Sequence, residues 1–92
     1  NSPLHIAASN ENEHIIKNLL AHAAKIDERN EDGETALIIA ARHGNNYIVG
    51  TLLDNGANVT YVDAMEHTAL YYATEGGYND IVEKLLIAGA EN

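Results

Sequence analysis

A chain of 92 residues carries one small domain and leaves no room for a catalytic domain joined to a separate binding domain. Apolar residues make up 46%, too many for a disordered tail, yet the longest apolar run, Ala36 to Ala41, falls far short of the roughly 20 residues that span a bilayer. Fourteen acidic against five scattered basic residues give a net charge of −9, which excludes a phosphate-gripping surface for nucleic acid or anionic lipid, and the absence of cysteine excludes disulfides and thiolate zinc sites.

In chain order, Ser2 is placed to cap a helix through Pro3-Leu4-His5-Ile6-Ala7-Ala8. Ile15, Ile16, Leu19 and Leu20 then form the apolar stripe of a second helix. A polar connector from Lys25 to Glu34 contains the turn Asn30-Glu31-Asp32-Gly33. Thr35 caps a helix rich in small residues, which Gly44 ends in a left-handed conformation. Ile48, Val49, Leu52 and Leu53 make the next stripe, closed by Gly56. After the connector from Asn58 to His67, Thr68 caps a further helix ended at Gly77. Ile81, Val82, Leu85 and Leu86 supply the last stripe, ended by Gly89.

The same pattern therefore returns every 33 residues. Residues 30–59 and 63–92 align without gaps at 12 identities in 30. The units are 1–29 (partial), 30–62 and 63–92, each a pair of short helices and a turn. One such pair cannot bury its apolar faces alone, whereas about three stacked pairs can. The expectation is an all-α solenoid with Leu52 in its core.

The period, the segment Ser2-Pro3-Leu4-His5-Ile6-Ala7-Ala8, the following glycine, and the later Ile-Val-x-x-Leu-Leu and Gly-Ala resemble the ankyrin repeat over essentially the whole chain. That resemblance implies stacked helix-turn-helix units with short β-hairpin-like turns, and a histidine at the His5 position that ties down its own turn. The chain departs from the family pattern in several places. Ala36 and Ala69 replace proline, Ile38 and Tyr71 replace histidine, and Glu66 stands where Gly33 supplies the hairpin glycine. In the first unit Glu11 and Ala23 replace glycines, so that unit is expected to be the weakest and Ala23→Gly to stabilise it. Neither end carries the polar outer face of a capping repeat. The expectation is a piece excised from a longer protein, or ends covered by partner surfaces, self-association among them.

Catalytic and metal chemistry finds little support. His5, His14, His22, His43 and His67 include no metal-ligand spacing. The stretch from Glu28 superficially resembles a calcium loop but has Glu28 first and Ile39 twelfth, where Asp and a bidentate Glu are required. There are two serines, no nucleophile elbow and no phosphate-binding glycine loop. Asn58-Val59-Thr60 matches a glycosylation sequon but reads as a chance match, because no secretory signal is visible. An intracellular, cytoplasmic setting without cofactor or metal is expected.

What remains is a surface. The family resemblance implies a non-catalytic protein-binding module that grips its partner with hairpin tips and the concave side of the first helices. Position by position, the tips are Glu31, Asp32 and Glu34, then Ala64, Met65 and His67. The helices contribute Ser9, Asn10, Arg42, His43 and Glu75. Asp27, Glu28, Glu31, Asp32 and Glu34 crowd the first tip, which calls for a partner with basic residues there and an apolar contact at Met65. The alternative is a substrate-recruiting or regulatory module of a larger enzyme or microbial effector.

Overall fold

The computed structural model describes residues 3–9, 13–21 and 25–89. Six helices follow one another: α1 (Pro3–Ser9), α2 (Glu13–Ala21), α3 (Ala36–His43), α4 (Asn46–Asp54), α5 (Ala69–Glu75) and α6 (Asn79–Ile87). The starts of α1, α3 and α5, and those of α2, α4 and α6, are each 33 residues apart, as the sequence repeat requires. Among the described residues there is no strand, and no helix is long and apolar enough to cross a membrane. Ser2, Asn10, Glu11, His22 and Ala23, which carry sequence expectations, lie outside the described residues.

Local chemistry sets the helix ends. The Thr35 hydroxyl accepts from Ile38 N at 3.3 Å and the Thr68 hydroxyl from Tyr71 N at 3.1 Å, satisfying a backbone donor at the start of α3 and of α5. Asn45 does the same for α4, accepting from Ile48 N at 3.0 Å. Gly44 closes α3 at φ 73°, and Gly77 adopts φ 71° after α5. A Cβ on Gly44 would also fall 2.6 Å from the Tyr78 ring, so the glycine admits that ring as well as the turn.

Within each unit the two helices pack together (α1 on α2, α3 on α4, α5 on α6). Between units, α1, α3 and α5 form one layer and α2, α4 and α6 a second. Ala7, Ala40 and Ala73 occupy the same repeat position, are all buried, and let the first helices approach closely. Ile16, Leu37, Ile48, Val49, Leu52, Ile81 and Leu85 fill the core with fully buried side chains. Burying each of these aliphatic side chains contributes about 1.5–3 kcal/mol, which only the stacked units together supply.

The connectors end in two hairpin-like turns with one bonding pattern. Asn30 N donates to Glu34 O at 2.9 Å and Gly33 N to Asn30 O at 2.9 Å. The third unit repeats this with Asp63 N to His67 O at 3.0 Å and Glu66 N to Asp63 O at 2.9 Å. Ala64 N donates to Asp32 O at 2.8 Å, so successive turns are bonded directly to one another. Arg29 adds a second tie, bonding Gly33 O and Val62 O while its guanidinium lies 5.7 Å from the centre of the Tyr61 ring.

Candidate interaction face

The turns and first helices share one side of the stack. Its first feature is a cleft of about 190 Å³ between the turn of the second unit and helices α1 and α3. Ser9, Asp32, Glu34 and Arg42 edge it, and Ile6 and Ile39 give it an apolar floor. These side chains come from three separated segments, brought together only by the stacking of α1 on α3.

Asn30 organises the turn. Its Oδ1 accepts from Asp32 N and Glu34 N, both at 2.9 Å, and its Nδ2 donates to Glu34 Oε1 at 3.2 Å. The other Glu34 oxygen pairs with Arg42 Nη2 at 2.8 Å. Glu34 is therefore only 8% exposed, with both oxygens engaged, and braces the cleft wall; Glu31 and Asp32 are the exposed acids of this tip. Arg42 keeps a side chain that is 43% exposed, its guanidinium oriented by Glu34 and open to the cleft.

Beneath the turn, His5 Nε2 lies 2.7 Å from Glu28 O and 2.9 Å from Glu34 O. Both are carbonyl acceptors, so Nε2 carries the proton and the ring ties the turn's two ends to α1. This is the role the resemblance implies for His5.

The turn of the third unit differs in one chemical respect. Asp63 stands where Asn30 does, and its Oδ1 accepts from Met65 N and His67 N at 2.9 Å each. Its second oxygen, which an asparagine lacks, accepts the hydroxyl proton of Tyr72. Burial alone would raise the Asp63 pKa, but the Tyr72 bond, the two backbone donors and the His67 charge together hold it below the usual 3.8. The same bond, with burial and the Asp63 charge, pushes the Tyr72 phenol up to about 12.

Around this link lies an aromatic cluster. His67 stacks on Tyr71 with ring centres 3.9 Å apart, and Tyr72 meets both rings edge-on. Tyr71 is 40% exposed, and the negative charge of Glu75 raises its pKa above 10. Met65 at the tip is 72% exposed, and Ala64, His43, Ser9 and Glu75 are also exposed. His67 is half-buried.

The sequence reading did not single out Asn30, Asp63, Tyr71 and Tyr72 as parts of this face. The signal for the first pair was present, since both are Asx residues at one turn position 33 residues apart. The tyrosines gave less, because the matching residues Ile38 and Ile39 are core. Among the described residues no group of three metal-ligating side chains occurs.

No curated protein matches the chain. The family model described as ankyrin repeats (3 copies) matches residues 4–92, and the chain belongs to the ankyrin repeat family.

Proposed function

We propose that this chain binds a partner protein along the face where its hairpin-like turns meet the first helices. Ankyrin repeats are generally protein–protein interaction modules and typically non-catalytic. Glu31 and Asp32 at one tip, Ala64, Met65 and His67 at the next, and Ser9, Arg42, His43 and Glu75 along the helices are the proposed contacts, with Glu34 positioning Arg42 from beneath; Asn10, outside the described residues, is proposed from the sequence alone. The observation that carries the reading is the cleft in which Ser9, Asp32 and Arg42, from three segments, share an apolar floor containing the 51%-exposed Ile6.

That cleft suits a partner segment with an apolar side chain for Ile6 and a basic one for Asp32, and the exposed Met65 offers a second apolar contact. A photo-crosslinking side chain placed at Asp32 or Met65 should trap the same partner protein, while one at His14 on α2 should trap none. Trapping from His14 with none from Asp32 or Met65 would move the site to the other layer.

A further inference from the structure

We propose that the stacked rings of His67 and Tyr71, with Glu75 beside them, receive an arginine side chain of the partner protein. The inference rests on the interaction face proposed above and names the chemistry that face reads at its third unit.

The ring geometry leaves one surface open. His67 covers one face of Tyr71, the planes 16° apart and the centres 3.9 Å apart. Tyr72 is 5.5 Å from the His67 ring and 5.4 Å from the Tyr71 ring. A ring lying on the outer face of Tyr71 would be much farther from His67 than from Tyr71. Near-equal distances place Tyr72 alongside the stack, so the outer face of Tyr71 stays uncovered by either ring, in keeping with its 40% exposure. One unit earlier the same position holds Ile38, which is 1% exposed. The third unit thus presents an aromatic face where the second has a buried aliphatic side chain.

Charge selects the occupant. Glu75 lies one helical turn beyond Tyr71 on α5 and is exposed, and its negative charge reaches the Tyr71 phenol closely enough to raise its pKa above 10. Residues 58–75 hold three acids, Asp63, Glu66 and Glu75, and no lysine or arginine. The chain's own bases are engaged elsewhere: Lys17 pairs with Glu13, Arg29 lies over Tyr61, Arg42 pairs with Glu34, and Lys84 donates to Asn46 O. A cation for this patch therefore comes from the partner.

Arginine fits better than lysine. Its planar guanidinium can stack on the outer face of Tyr71, as a third layer over His67, while its edge donates to the Glu75 carboxylate. The compact ammonium of lysine satisfies the carboxylate but makes no planar stack. An aliphatic side chain would cover the ring and leave Glu75 without a counter-charge. The chain already places a guanidinium against an aromatic ring within its own fold, at Arg29 and Tyr61.

A library of random peptides displayed on phage tests this, depleted on the full chain carrying Tyr71→Leu and then selected on the parent chain. The surviving peptides are expected to share an arginine. Replacing that arginine with lysine should weaken binding about threefold or more. Glu75→Gln, which keeps the size of the side chain, should also weaken it about threefold, and Tyr71→Leu about tenfold. Thermal unfolding of both variants reads folding separately. Survivors that carry an aliphatic residue in place of arginine overturn the proposal, as do arginine peptides indifferent to Glu75→Gln, or a pool with no survivors. The wider reading of the face fails by a different result, the absence of any partner crosslinked from Asp32 in the second unit, whatever the peptides do.

Discussion

Gly33 and Glu66 occupy the same turn position one repeat apart and share a left-handed backbone, at φ 76° and 65° respectively. Only the glycine adopts it without strain, because a side chain there crowds its own carbonyl at a cost of about 1–2 kcal/mol. Glu66 is the one described residue other than glycine with positive φ. Replacing Glu66 with Gly is expected to stabilise the fold by about 1 kcal/mol, less some added freedom of the unfolded chain. Gly33→Ala should lose more than that, since its Cβ would fall 3.0 Å from Ala64 N and disturb the bond between turns. Urea unfolding of both variants measures the difference, and a Glu66→Gly midpoint below that of the parent would remove strain from the explanation.

The helix layers predict where truncation hurts. Leu52 is fully buried between units, so Leu52→Ala should cost roughly 2–5 kcal/mol through lost burial and a residual cavity. Leu86 sits one position further along the same repeat pattern as Leu85 but is 40% exposed, and Leu86→Ala should cost less than about 1 kcal/mol. Equal losses for the two would contradict the stacking described.

Much of this fold is readable along the chain. Thr35, Thr68, Gly44, Gly56 and Gly77 mark helix ends by their own backbone chemistry, and their 33-residue spacing sets the register of the stack. The interaction face is less legible, because it depends on which way side chains turn. Glu34 reads as a tip acid in the sequence, yet Asn30 and Arg42 draw it inward, one from four residues before it and one from the next helix. The Asp63–Tyr72 bond joins residues nine positions apart through a geometry that repeat spacing does not encode, since the equivalent pair, Asn30 and Ile39, cannot form it.

That bond sets a pH window. Asp63 has a folded pKa below 3.8, so its contribution is complete above about pH 4 and is lost as pH falls through the lower folded value. Tyr72 has a folded pKa of about 12 against 10 unfolded, so its contribution is complete below pH 10 and is lost as pH rises through about 12. Tyr72→Phe should therefore cost about 1.5–3 kcal/mol at neutral pH, the range for a hydrogen bond to a charged group. The gap between the two proteins should narrow below pH 4 and above pH 10. A gap that stays constant in unfolding experiments from pH 3 to 11 would mean the hydroxyl acts only by packing.

His5 makes a similar contribution to the first described turn. His5→Ala removes the donor shared by Glu28 O and Glu34 O and should cost about 1–3 kcal/mol. Hydrogen exchange should report faster opening at Gly33 and Glu34, whose backbone donors close that turn. Unchanged exchange there would show that Asn30 holds the turn alone.

The central claim is that the face of turns and first helices binds a protein. Its most direct test is calorimetric titration of the crosslinked partner, once identified, against the parent chain, Glu31→Lys/Asp32→Lys, and Glu83→Lys on the opposite layer, at low and high salt. Both acids of the tip are exposed and neither braces the turn through its side chain, so the double reversal should leave folding intact. The account predicts that the tip reversal weakens binding at least tenfold and flattens its salt dependence, while Glu83→Lys leaves both unchanged. Affinity and salt dependence unmoved by the tip reversal, with binding lost in Glu83→Lys, would contradict it.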